Sequence, residues 1–441
     1  MESHEWERLQ ELLRVPSISA LPEYAADMDR AASLIAHEIL VAGGAAEIVN
    51  NGGHPLVVGR VAASVDREDA PTVLIYGHYD VQPTGDLAEW VSPPFEPTVR
   101  GDHVYARGAS DDKGNLFMLL VAVQRLRAAG ELPVHVRFLI EGEEECGGES
   151  AHRWLDGDTE GADCCLIYDS SMAAPDRPAF CAGVRGLVYR RITVRSAQRD
   201  GHSGLYGGAA MNANHALMTI FGSLTPTDGR LAEPLRAGAA APSPLELASW
   251  EAIPGGASML KQAGLRPADA AAAAEFHLRT GFEPTIDVHG IASGEPSAVK
   301  TVIPATATAT LSLRLAPGQR SSEIAPILDE MILAAAPAGA EVTIERLGEA
   351  DPALVSADDP WLAKAVAGTE TATGMRVAVI RSGGSIPIMA ALAARGIVPL
   401  LTGFAENDDA IHAPNERLRV SQLDLGIRAA MGMLTALGAR P

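Results

Sequence analysis

LIYGHYD, residues 74–80, decides how the chain is read. An apolar run that begins near Val73 stops at Gly77 and then delivers His78 and Asp80, one residue apart. Side chains alternate faces along a strand, so these two polar residues point the same way, beyond the end of an apolar strand. A metal-binding histidine needs one ring nitrogen free and the other held, and a nearby carboxylate is a common holder. The same residues also have a bland reading, in which His78 caps a strand and Asp80 opens the turn continued by Gln82, Pro83 and Gly85. The surroundings of this stretch have to choose between the two.

Upstream, apolar periodicity predicts two amphipathic helices, over about residues 5–13 and 25–41, separated by VPSIS and closed by Gly43 and Gly44. A strand follows at about residues 56–61. Downstream, QPTGDLAEWVSPPFEP is rich in turn residues and reads as a surface loop covering a site, with Trp90 exposed. RGASDDKGNLFMLLVAVQRLRAAG then runs from a polar loop into an apolar helix that Gly130 ends. VHVRFLI is a buried strand with EGEEECGGES at its end, and CCLIYD is another strand closed by an acid. Strands alternating with helices, with acids and histidines past the strand ends, describe an α/β fold: an open, mostly parallel sheet whose site lies at its carboxyl edge.

The character changes near Gly186, where LVYRRITVR alternates apolar and polar residues as a half-solvated strand does. TATATLSLRLAP alternates in the same way, and helices are expected from about residue 211 and over SSEIAPILDEMILAAA, with VTIERL a further strand. Two antiparallel-looking strands and two helices make a smaller α+β lid or dimerisation domain, residues 187–350. It is inserted into a discontinuous catalytic domain, residues 1–186 and 351–441, because later segments return to the first style. The stretch from about residue 230 to 266 holds no usable motif.

At 441 residues the chain has room for two or three cores. A formal net charge of −21 argues against nucleic acid or an acidic membrane surface as partner, since affinity for phosphate rests on Lys and Arg. The charged start MESHEWERLQELLRV carries no secretory pattern, so a cytoplasmic location is expected. No apolar run is long enough to span a bilayer. Cys146, Cys164, Cys165 and Cys181 lack metal or disulfide spacing and are expected to be buried thiols.

His78, Asp80, Asp111, Asp112, Glu144, Glu145, Asp169 and His412 all fall at strand ends or in the loops that follow. Any one of them could be a helix cap or a solvated loop acid. Together they would repel one another unless a cation compensates them. Two histidines among carboxylates favour a pair of divalent ions, zinc first, with manganese or cobalt as alternatives.

YGHYDVQP, RGASDDKG, EGEEECGG, IYDSS, GHSGLYGG, RSGGSIPI and FAENDDAIHAPNE stand in the order in which the M20 metallopeptidase family carries its motifs. They resemble most closely its dipeptidase branch, which includes the cytosolic carnosine dipeptidases. The resemblance implies that His78, Asp111 and Asp169 hold one ion and Asp111, Glu145 and His412 the other, with Asp111 bridging and followed by a cis peptide. It gives Asp80 to His78 as its partner and Glu144 the role of general base, leaving Glu143 as an extra acid. It further implies that Thr301, Arg314 and Ser385 hold the substrate, and that His202 reaches across a homodimer to the second protomer's site. The implied reaction is hydrolysis of dipeptides or short peptides with a free C-terminal carboxylate, by a metal-bridging water that Glu144 activates. An N-acyl amino-acid deacylase is the alternative enzyme, and a metal-binding protein without catalysis the distant one.

Overall fold

The computed structural model describes residues 1–64, 70–294, 297, 299–384 and 386–439. Among these, the larger sheet has nine strands. Its centre is four parallel strands in the spatial order His135–Glu141, Thr72–His78, Cys164–Tyr168 and Val398–Thr402. Antiparallel strands flank them, Leu56–Val61 and Ala45–Val49 on one side and Ala179–Val184 on the other.

Strand alternation sorts the central residues between two layers. Val73 and Ile75 pack with the helices Lys113–Ala128 and Val420–Leu437 in the main core. Leu74 and Tyr76 face the opposite layer, with Ala151 and Leu155 of the helix Ser150–Gly157 and Leu392 of Pro387–Ala394. His78 has the parity of Leu74 and Tyr76, and Asp169 that of Cys165 and Ile167, so both belong to this second face. The helix Lys113–Ala128 is buried on nearly every side, which is why its middle, residues 116–123, is an unbroken apolar run rather than a stripe.

The chain leaves the large sheet at Val184 and enters the second one at Gly186. This sheet is antiparallel, in the order Thr285–Ala292, Thr306–Leu315, Gly186–Arg195 and Glu341–Ala350. The helices Ala213–Leu224 and Ser321–Ala335 share a separate apolar core with it. Arg190 breaks the inward apolar pattern and is fully buried, compensated by Asp329 at 2.8 Å and Glu349 at 2.6 Å.

Four expectations need correction. The strand at LIYGHYD runs through His78 and does not stop short of it, because His78 pairs with Glu141 at the end of the neighbouring strand. The second sheet contains the strand Thr285–Ala292, missed because as an edge strand it is largely exposed and its short alternation is broken by a bulge between Val288 and Gly290. Trp90 is buried rather than exposed, its indole N–H donating to Thr84 O at 2.8 Å. Cys146 is exposed, unlike the three other thiols. No helix among the described residues is long and apolar enough to cross a membrane.

Candidate metal centre

Four adjacent parallel strands release their loops at one edge of the large sheet, and those loops carry the acids and histidines. His78 is the last residue of its strand and fully buried. One ring nitrogen, Nδ1, lies 3.1 Å from Asp80 O and 3.4 Å from Asp80 Oδ1. The other, Nε2, lies 3.1 Å from Asp111 Oδ1. The second oxygen of the same carboxylate, Asp111 Oδ2, lies 3.0 Å from His412 Nε2, which is also 3.1 Å from Glu145 Oε2. His78, Asp111 and Asp169 form one triad and Asp111, Glu145 and His412 another, each with donor atoms within 4.8 Å of one another. Asp111 is common to both and offers one oxygen to each.

The local chain explains these positions. Asp111 lies between a tight loop and the helix Lys113–Ala128, and the bond from Asp111 to Asp112 is cis. Glu416, fully buried, holds this loop: it accepts from the backbone N–H of Gly108 (3.0 Å), Ser110 (2.9 Å) and Asp111 (3.1 Å), and pairs with Arg107 at 2.7 Å. The motif reading missed Glu416 because it acts through backbone amides; its only signal is the glutamate that closes HAPNE. His412 has φ +63°, with Ala410 at +55° and Asn415 at +65°, so this loop turns through left-handed positions without glycine. Asn415 anchors it, accepting from Val91 N–H at 2.8 Å and donating to Glu89 O at 2.7 Å.

The three glutamates of EGEEE separate clearly. Glu143 accepts from the backbone N–H of His54 (2.9 Å) and Ser150 (3.1 Å), and a Cβ on Gly53 or Gly148 would collide with it. Glu145 belongs to the second triad, and its N–H donates to Asp80 Oδ2 at 3.1 Å while Gln82 Nε2 donates to its Oε2 at 2.9 Å. Glu144 stands between them, outside both triads. Burial, with Glu145 and Asp111 adding to it, pushes its carboxyl up to about 7.

Charge shows what the cluster demands. Burial and then the neighbouring acids Asp111 and Glu144 push Asp169 well above the usual carboxylate range. Burial opposes protonation of His78, but its hydrogen bonds to Asp111 and Asp80 raise it well above an ordinary imidazole. His412 is drawn up to about 10 by hydrogen bonds to Asp111 and Glu145. Buried carboxylates crowded in this way call for positive charge, and two imidazole nitrogens with three carboxylates fit a pair of divalent ions.

The other expected residues lie apart. His202 is exposed, its Nδ1 accepting from Gly204 N–H at 3.0 Å. Thr301 is beside it, Thr301 O accepting from Ser203 N–H at 2.9 Å. Among the described residues, neither contacts the triads of its own chain. Arg314 is half-buried on the strand Thr306–Leu315, opposite Thr285 and Leu187. Ser385 lies outside the described residues.

The chain is 29% identical over 411 residues to the cysteinylglycine-S-conjugate dipeptidase of Corynebacterium striatum, covering 88% of this chain and 85% of that one. It is 28% identical over 370 residues to the human beta-Ala-His dipeptidase, covering 79% and 71%. An M20 metallo-carboxypeptidase from Sulfolobus solfataricus superposes with a TM-score of 0.86 at 26% identity, over 99% of this chain and 100% of the other. The model of peptidase family M20/M25/M40 matches residues 74–436, from the strand that carries His78 to the final helix, and the chain belongs to that family.

Proposed function

We propose that this chain is a metal-dependent dipeptidase in which the two triads hold two divalent ions and Glu144 moves the protons. The observation that carries the reading is Asp111, whose two oxygens face His78 and His412 separately. Bound there, the ions would polarise the scissile carbonyl and make water nucleophilic near neutral pH. Zinc suits the mixed nitrogen and oxygen donors best, with manganese or cobalt able to replace it.

The residues of the chain then divide the work. Asp80 holds the His78 ring through Nδ1 and keeps Nε2 directed at the centre. Glu144, held near neutrality, takes a proton from the attacking water and returns it to the departing amine. Glu143 is committed to backbone amides, which supports Glu144 in this role. Arg314 clamps the substrate's terminal carboxylate through paired hydrogen bonds, Ser385 takes part in holding it, and Thr301, which lies beside His202, does so from the second protomer. The names of the relatives support a small peptide substrate, since they are dipeptidases and a carboxypeptidase.

Residues 187–350 would act as lid and dimerisation domain on a catalytic domain of residues 1–186 and 351–441, a division supported by the separate core of the second sheet. His202 and Thr301 are exposed together on that domain, which supports a homodimer in which His202 reaches the second protomer's centre and stabilises charge on the attacked carbonyl. Buried free thiols at Cys164, Cys165 and Cys181 support a cytoplasmic location.

The test is a panel of dipeptides against N-acetyl and N-succinyl amino acids, run with chelated protein and with added zinc or manganese. Metal-restored cleavage of dipeptides is expected. Turnover confined to the acyl amino acids, or hydrolysis indifferent to chelation, would overturn the reading.

A further inference from the structure

A cavity of about 400 Å³ opens beside the metal centre, within the size range of small-molecule sites, about 300–1,000 Å³. Part of its wall comes from loops that carry the proposed site: Ser170 directly follows Asp169, Gly383 precedes the segment of Ser385, and Asn407 lies in the loop leading to His412. The facing wall comes from residues 244–282, which begin inside the stretch of residues 230–266 that holds no usable motif and continue beyond it. There Trp250 meets Phe282 edge-on at 5.4 Å and His277 at 5.8 Å, with Ile253 and Met259 completing an apolar surface.

This wall is built to stay in place. The helix Pro244–Trp250 is tied to the strand Ala378–Ser382 by a nearly fully buried ion pair, Glu246 to Arg381, at 2.6 Å. Arg381 in turn lies 3.9 Å above the Phe282 ring, and Val379 N–H donates to Ser249 Oγ at 3.2 Å. A wall held this firmly loses little conformational freedom when a side chain enters.

One charged group gives the cavity a direction. Arg185 lines it, donating Nε–H to Gly383 O and an Nη1 hydrogen to Thr285 Oγ1, both at 2.9 Å. Thr285 is paired across the sheet with Arg314, and burial followed by the charge of Arg314 brings Arg185 down to about 10. The cavity is therefore bordered by Arg185 and, through Thr285, adjoins the strand position of Arg314, the residue assigned above to the substrate's terminal carboxylate.

We propose that this cavity receives the side chain of the substrate's C-terminal residue and selects dipeptides in which that residue is large and apolar or aromatic. The inference rests on the dipeptidase reading and deepens it by naming the substrate class. Trp250, Phe282 and Ile253 determine the preference through packing, since an apolar pocket discriminates by the groups it fills.

The experiment compares kcat/KM of the zinc-loaded full chain for Ala-Gly, Ala-Leu, Ala-Phe and the reversed Phe-Ala. Ala-Leu and Ala-Phe should exceed Ala-Gly by about ten- to two-hundredfold, the discrimination such pockets reach. Phe-Ala should show no matching gain. Two variants move the same ratio by opposite means: Trp250→Ala removes a wall, and Ile253→Phe fills the space without emptying any packing. In both, the ratio of Ala-Phe to Ala-Gly should collapse toward one. Cleavage of all four dipeptides with no C-terminal preference, or with the gain in Phe-Ala, overturns the pocket and leaves the dipeptidase reading standing. Cleavage of none of them overturns both.

Discussion

The triad of His78, Asp111 and Asp169 and the triad of Asp111, Glu145 and His412 share a carboxylate but rest on different foundations. In the first, His78 ends one central strand and Asp169 directly follows the next, so hydrogen bonding of the sheet sets their spacing. In the second, Glu145 sits on a single 3-10 turn, Glu144–Cys146, ended by Gly147 at φ +72°. The His412 side chain is 51% exposed, against none for His78, in a loop with three non-glycine residues at positive φ. Left-handed backbone at such residues costs on the order of 1–3 kcal/mol each and persists only where the surroundings over-determine it. Here Asn415 and Glu416 supply that determination. One half of the centre is thus a by-product of the sheet, and the other is held by a polar web.

The comparison can be broken most severely where the halves meet. Asp111→Ala should take bound metal from about two ions per chain to fewer than one, with activity lost, as metal analysis on purified protein would show. Two retained ions would mean that Asp111 bridges nothing. Glu144→Ala, which removes no member of either triad, should keep both ions while turnover falls by about 10²–10⁴-fold. Unchanged turnover in that variant would move the base elsewhere.

Glu416→Ala tests the web directly. It leaves Arg107 as a buried unpaired charge and strips an acceptor from three amides, so denaturant unfolding should show a loss of about 3 kcal/mol. A near-neutral result would show that the Asp111 loop holds itself. Asn415→Ala should cost less, about 1–2 kcal/mol in the same measurement, and should weaken the His412 triad selectively. The mildest perturbation is graded chelation of the intact protein: about one ion per chain should leave first, from the exposed His412 side. Simultaneous release of both ions would erase the distinction between the halves.

Much of the arrangement of these acids and histidines is legible in the sequence. The acids and histidines of the motifs stand at strand ends or in the loops that follow them, and alternation alone put His78 and Asp80 on one side. Other features left no trace. The strand Thr285–Ala292 is an exposed edge, and the alternation of its first residues is cut short by a bulge between Val288 and Gly290. Trp90 read as surface because its loop is rich in turn residues, yet its ring is covered, with the Arg107 guanidinium 5.6 Å away. The aromatic wall of residues 244–282 comes from helices of six or seven residues, too short to show a stripe.

Apolar runs, their periods and the polar residues that interrupt them were enough to specify the central strands, their faces and the polar residues near their ends, because each depends on neighbours a few positions away. The roles of Glu143, Glu144 and Glu145 came from the family resemblance, whereas the contacts that separate the three side chains, with His54, Ser150 and His412, arrive from other parts of the chain. So does the contact of Glu416, which meets the amide of Asp111 across 305 positions. Contacts of that kind come into being when the layers pack, and no local pattern encodes them.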